Sequence, residues 1–309
     1  MKYNTALPYF PEEDIKYILH EMEKLLKGDG LLSMGEHVQQ FEKDFADYIG
    51  VEFAIATTSG TSALESILAA TSITQGVEVI VPSQTFIATV SSVVQKGARP
   101  IFAEINNNFL LDFEDMKSKI TKKTKAVICV HFAGLIDENL LEIKSWLKER
   151  GILLIEDAAH AHGASLENKK AGSIGDAAAF SFYSTKNMTT GEGGMITTND
   201  KLIAEKCRSI RSRGLDMRAG YEIFNELGTN QRMTEFQALM GISQLKRLNE
   251  FVTHRNKVAD TYTKCLRPLA EIGSIQFLDE NNNKLIHAFW RYIIFLTNEQ
   301  DRDQIKKNM

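Results

Sequence analysis

The chain lacks a charge excess, a disulfide framework and a long apolar run. Its 309 residues carry 36 Lys and Arg against 40 Asp and Glu, a formal net charge of −4. So small an imbalance excludes the basic footprint of a nucleic-acid-binding surface. There are three cysteines, Cys129, Cys207 and Cys265. An odd count with no CxxC spacing argues against a disulfide frame and a zinc site, and reads as reduced thiols in a cytoplasm. No apolar run approaches the ~20 residues of a membrane span. The first residues, MKYNTALPYFPEED, are broken by proline and charge and do not read as a signal peptide. Internal repeats and low-complexity tracts are absent as well.

What is there is the composition of a soluble globular protein, 43% hydrophobic and 25% charged. The length suits one large domain and a smaller one. Helical spacing marks residues 12–27, through Ile15, Ile18, Leu19, Met22, Leu25 and Leu26. A second helix runs through Val38, Phe41, Phe45 and Tyr48 to Gly50. Strand-like runs follow at 52–57, 78–82, 100–105, 125–131, 152–157, 177–183 and 195–198. Helical stretches at 88–95, 112–120 and 138–150 separate most of them. This alternation predicts an α/β fold with a mostly parallel central sheet and helices on both faces. Residues 1–250 form the expected large domain, opened by a helical segment. Residues 251–309 form an expected small α+β domain, with a helix to Leu266 and strands at 275–277 and 287–297.

Chemistry-bearing residues gather just after the predicted strand ends, where open α/β sheets bind ligands. Residues 59–62, Ser-Gly-Thr-Ser, stand between a strand and a helix. That turn is either a plain N-cap or an anion site built from free backbone N–H groups. Asp157 ends the run GILLIED and is either a helix cap or a functional carboxylate. Lys186 follows the strand at 177–183, and lies 29 residues after Asp157. A lysine there can act as a nucleophilic amine and form a Schiff base with a carbonyl, if its surroundings lower its pKa. Phe86 and His131 occupy equivalent positions on other strands, and His131, in VHFAG, is expected to face the site. His160, in EDAAHAHG, is expected to contact a ligand, while His162 is expected to be structural and no metal is expected at the pair. Arg208, Arg211, Arg213 and Arg218 read as a solvated basic face.

Five blocks, TTSGTSAL, VPSQTFIAT, IEDAAHAHGA, GDAAAFSFYSTKNMTTGEGG and GTNQRMTEFQA, occur in an order that resembles the DegT/StrS-type sugar aminotransferases. The resemblance runs from about residue 8 to the C-terminus. It implies a fold type I enzyme dependent on pyridoxal 5'-phosphate (PLP). Lys186 would then bond the cofactor and shuttle protons, and Asp157 would pair with its pyridine nitrogen. The resemblance further implies that Gly60, Thr61 and Ser181 hold the phosphate, that Phe86 stacks on the ring, and that His160 contacts the ring hydroxyl, where relatives often carry Gln. Asn230 lies where the family uses an asparagine of the neighbouring subunit, which implies a homodimer with shared sites. The implied reaction moves an amino group from an amino acid, L-glutamate by expectation, to a nucleotide-linked keto-deoxysugar, for surface polysaccharide biosynthesis. Relatives that dehydrate sugars carry His at the position of Lys186, so STKN implies transamination. The family continues several tens of residues beyond the point matching Met309, which implies an incomplete small domain. A regulatory PLP-binding homologue without full turnover is the alternative expectation.

Overall fold

The computed structural model describes residues 7–216, 221–278, 284–297 and 299–308. Two N-terminal helices, α1 (Glu12–Leu26) and α2 (Glu36–Ile49), come first. Helix α2 stops at Gly50, whose φ of 81° is a left-handed cap conformation that favours glycine. Strands and helices then alternate: β1 (Phe53–Thr57), α3 (Gly60–Ala70), β2 (Glu78–Pro82), α4 (Ile87–Gln95), β3 (Arg99–Ala103), α5 (Phe113–Lys119), β4 (Thr124–Val130), α6 (Leu140–Lys148) and β5 (Leu153–Asp157). A short hairpin of β6 (Ser165–Leu166) and β7 (Lys169–Lys170) precedes β8 (Ala177–Ser181) and β9 (Gly194–Thr198). Helices α7 (Lys201–Arg211) and α8 (Glu235–Glu271) close the large part of the fold.

The main sheet has the order β1-β9-β8-β5-β4-β2-β3. All neighbours pair in parallel except β9, which runs antiparallel to both β1 and β8. The C-terminal ends of β1, β4, β5 and β8 therefore open on one edge. Two apolar clusters cover the sheet, one on each face. Phe41, Phe45, Leu140, Ile143 and Leu245 pack beneath α2, α6 and α8. Leu64, Ile67, Val93, Ile203 and Ala204 pack beneath α3, α4 and α7. Strand side chains alternate between these faces. In β5, Leu154 joins the first cluster and Ile155 the second. That parity sends Glu156 to the α2/α6/α8 face and Asp157 to the α3/α4/α7 face.

Element bounds differ from the sequence reading by a few residues, and the reasons are local. Strand β3 ends early because Glu104 N–H donates to the Asp115 carboxylate, 2.7 Å away, instead of to a strand neighbour. The hairpin turn uses Glu167 and Asn168, both at positive φ (47° and 66°), a left-handed pair that carries no Asn-Gly signature. Helix α8 is continuous for 37 residues and passes through residues 250 and 251 without a break. Near the C-terminus, where one run at 287–297 was expected, a short strand Leu285–Ile286 lies just before it and a second, Ile294–Leu296, falls at its end. The first adds to β6, the second to Ile275–Phe277. Of the four arginines read as a basic face, Arg211 is buried. It pairs with Glu42 and donates to Ala56 O at 2.9 Å. Arg218 lies outside the described residues.

Candidate active site

The first wall of the site is the N-terminus of α3. Ser59 caps it, accepting from Ser62 N–H, and Ser62 Oγ accepts from Ser59 N–H in return. This reciprocal capping box fixes the turn. Gly60 then presses against β8: a Cβ built there would stand 2.9 Å from Ser181 Cβ and 3.3 Å from Phe180 O. The close approach brings Gly60 and Thr61 backbone against Ser181 at the positive end of the helix, a cradle suited to phosphate. The plain-cap reading holds, and the same cap aims the backbone that an anion site would use.

The second wall is the mouth of β5. Asp157 Oδ2 accepts from Thr89 Oγ1 at 2.7 Å, and Oδ1 accepts from Ala159 N–H at 3.2 Å. Thr89 stands on α4, one turn after Phe86, and itself bonds Thr85 Oγ1 at 2.7 Å. Phe86 begins that helix and is 68% exposed, with no ring contact to the protein among the described residues. Asp157, Gly60, Ser181 and Thr89 thus converge on one face of the sheet.

Lys186 sits in the turn beyond β8, its N–H donating to Tyr183 O at 2.9 Å. Burial lowers its amine from the ordinary 10.5 to about 8, with Asp157 pulling it up and Arg291 pushing it down. A sizeable neutral fraction near neutral pH follows, which is what a nucleophilic amine requires. Asp157 is near enough for its charge to act on the Lys186 amine.

His160 is buried and stacks on Trp290, centroids 3.8 Å apart and planes 18° from parallel. Burial first, then Lys186, His162 and Arg291, drive its pKa down to about 2. The ring is therefore neutral at any physiological pH, and its Nδ1 has no hydrogen-bond partner among the described residues. A buried orphan nitrogen near a lysine is a position that a ligand hydroxyl would satisfy. His162 packs against Phe180 and Phe182, at 5.3 and 5.7 Å between centroids. The cradle at Gly60, the orphan nitrogen of His160, the carboxylate of Asp157 and the softened amine of Lys186 together fit a phosphorylated, hydroxylated aromatic aldehyde.

His131 differs from its expected place. Its Nε2 lies 2.7 Å from Glu156 Oε2, and the ring is almost fully buried. Glu156 points to the face opposite Asp157, so His131 turns away from the site. Glu156 also accepts from the backbone N–H groups of Gly172, Ile174 and Gly175 at 2.6–2.8 Å. Burial raises its pKa, but the His131 hydrogen bond and charge, with the backbone donors, bring it below the ordinary carboxyl value. Asn230 is exposed and bridges to Ser212 just past α7. Sequence reasoning missed Thr89, Trp290 and Arg291. Thr89 is the last residue of the VPSQTFIAT block, and a hydroxyl there had no visible partner until Asp157 was placed beside α4.

Comparison with known proteins identifies the family. The model of the DegT/DnrJ/EryC1/StrS aminotransferase family matches residues 12–309. GDP-perosamine synthase of Caulobacter vibrioides is 39% identical over 99% of this chain and 81% of its own length. The structure of an aminotransferase from Psychrobacter cryohalolentis superposes with a TM-score of 0.89 at 33% identity, covering 97% of this chain and 80% of that one. A Streptococcus pneumoniae protein described as a sugar aminotransferase and solved in its PLP form gives a TM-score of 0.87 at 25% identity, over 100% of this chain and 82% of that one. The chain belongs to the DegT/DnrJ/EryC1/StrS aminotransferase family.

Proposed function

We propose that the chain binds PLP at this site and transfers an amino group from L-glutamate to a nucleotide-linked keto-deoxysugar. The observation that carries the reading is a lysine beyond β8 whose amine is reached by the charge of Asp157, beside a helix N-terminus pressed onto Ser181. The relative named GDP-perosamine synthase supports a nucleotide-linked sugar as acceptor.

Bound PLP supplies an electron sink for the carbon that loses or gains the amine. The chain's residues do the rest. Gly60, Thr61 and Ser181 anchor the phosphate. Asp157, held in orientation by Thr89 and Ala159, keeps the pyridine nitrogen protonated. His160, neutral through burial, offers Nδ1 to the ring hydroxyl. Lys186 is the residue that would hold the cofactor aldehyde, and its amine, lowered by burial to about 8, would accept and return the proton at the reacting carbon. Phe86, exposed in the single chain, covers the ring. Asn230 reaches the cofactor of a second copy, which makes the working unit a homodimer in the cytoplasm. Residues 1–250 act as the cofactor-binding domain and 251–309 as part of a small domain that covers the acceptor.

The test is an absorbance spectrum of the purified chain with PLP, before and after L-glutamate. The expected result is a visible band that glutamate abolishes and that Lys186→Ala never shows. A band retained in Lys186→Ala would overturn the assignment of the lysine. A wild-type band indifferent to glutamate and to other amino donors would favour the regulatory alternative.

A further inference from the structure

The mechanism leaves Lys186 without a bond for part of every turnover, and something must hold its amine in place during that time. The segment 288–290 is tied to both sides of this lysine. Trp290 Nε1–H donates to Thr185 O at 2.8 Å, and Asn187 Nδ2–H donates to Ala288 O at 2.8 Å. The strap is fixed from behind as well. Ala288 N–H donates to Gly134 O at 3.0 Å, and Arg255 Nη1–H donates to Phe289 O at 3.0 Å. At its end the indole of Trp290 stacks on His160 and carries Lys186 Nζ 4.3 Å from its ring centroid.

We propose that Trp290 is a positioning residue for Lys186, its indole face being the seat on which the ε-ammonium rests whenever that amine is not bonded to the cofactor. The inference rests on the reading of Lys186 as the cofactor-bearing lysine. A cation within 6 Å of an indole centroid is attracted by the ring quadrupole, most strongly where water is excluded. The seat is specific because the same indole N–H is anchored to the carbonyl of Thr185, the residue before the lysine. Ring and amine are thereby held at a fixed offset along the chain. The seat also has a limit. Arg291 lies 4.6 Å from the same centroid and competes for it, so the ammonium is held without being trapped. Through its stack on His160, the indole fixes the orientation of that imidazole as well.

The experiment compares wild type, Trp290→Phe and Trp290→Leu in the full chain without added cofactor, at one pH. Lysines are reductively methylated with formaldehyde and cyanoborohydride, and the rate at Lys186 is read by peptide mass spectrometry. Only the neutral amine reacts. Losing the π face in Trp290→Leu is expected to raise the Lys186 rate about two- to fivefold. Phe keeps a π face although it is smaller than Trp, so Trp290→Phe is expected to show less than half that rise. A merely steric cover would instead expose the amine in both variants alike. Equal rates in Phe and Leu, or a Leu variant at the wild-type rate, overturn the proposal. The absorbance of the same variants with added PLP is recorded in parallel. Lys186→Ala is added to that spectral series, and should it retain the band the functional reading fails while the labelling result still reports on the seat.

Discussion

Glu156 and Asp157 are consecutive acids at one strand end, and the fold treats them in opposite ways. Glu156 faces α2, α6 and α8, is fully buried, and accepts from His131 and three backbone N–H groups. Asp157 faces α3 and α4, accepts from one hydroxyl and one backbone N–H, and looks toward a lysine whose amine burial has softened. One carboxylate is saturated by the protein and so is finished as chemistry. The other is steered without being saturated and so is available to a ligand. Sheet parity alone separates the two roles.

Substitutions on either side should split along that division, and the largest effect belongs to the open side. Lys186→Ala is expected to remove the visible band entirely and to reduce transamination below detection, while its thermal melt stays near wild type. Asp157→Asn should keep the fold but cut transamination by about 10²–10⁴-fold, read as kcat for the glutamate half-reaction. A near-normal rate there would merge the two acids into one structural class. Glu156→Gln should do the converse. Disrupting a fully buried carboxylate that accepts from His131 and three backbone N–H groups costs about 3 kcal/mol, seen as a lower denaturant midpoint, with activity per folded molecule preserved. Full stability in that variant would show that the saturated side is not what holds the strand end.

A further contrast sharpens the comparison through pH. His160, His162 and His287 are held neutral by burial, down to about 2, 3 and 3. In the unfolded chain they protonate near 6.5, so the unfolded state binds more protons below that pH and stability falls as pH drops through 6.5. The slope is on the order of 1 kcal/mol per pH unit for each histidine well below that point. Glu156 has a depressed folded value, so its contribution is intact above 4.5 and disappears only at lower pH, as the folded carboxyl protonates. Urea midpoints between pH 7 and 4 should therefore decline early from the histidines and late from Glu156. A flat profile to pH 5 would contradict the neutral burial of the three rings.

Much of this was legible beforehand because period and punctuation carry it. The strands at Glu78–Pro82 and Leu153–Asp157 follow from apolar runs, and Lys186, Asp157 and Gly60 follow from their places just beyond strand ends. His131 was misplaced for a physical reason. Its position past β4 is right, but the face to which a side chain turns depends on the parity of a neighbouring strand, and its partner Glu156 is visible only once β4 and β5 are in register. Trp290 escaped because it is separated by about a hundred residues from Lys186 and meets it through a backbone carbonyl, a contact that no residue pattern encodes. The hairpin at β6 and β7 escaped because its turn uses Glu and Asn where glycine gives the usual signal.

Helix α8 begins in the core, where Glu235 accepts the backbone N–H groups of Gly35, His37 and Val38, and twenty residues later Arg255 grips the carbonyl of Phe289. A rod rises ~1.5 Å and turns ~100° for each residue. Removing or adding one residue between those two points would swing Arg255 by that angle and leave the strap behind. The distance from Glu235 to Arg255 thus behaves as a measured length, a key cut to one depth. Lys186 stays aligned with its aromatic neighbour only while that count is kept.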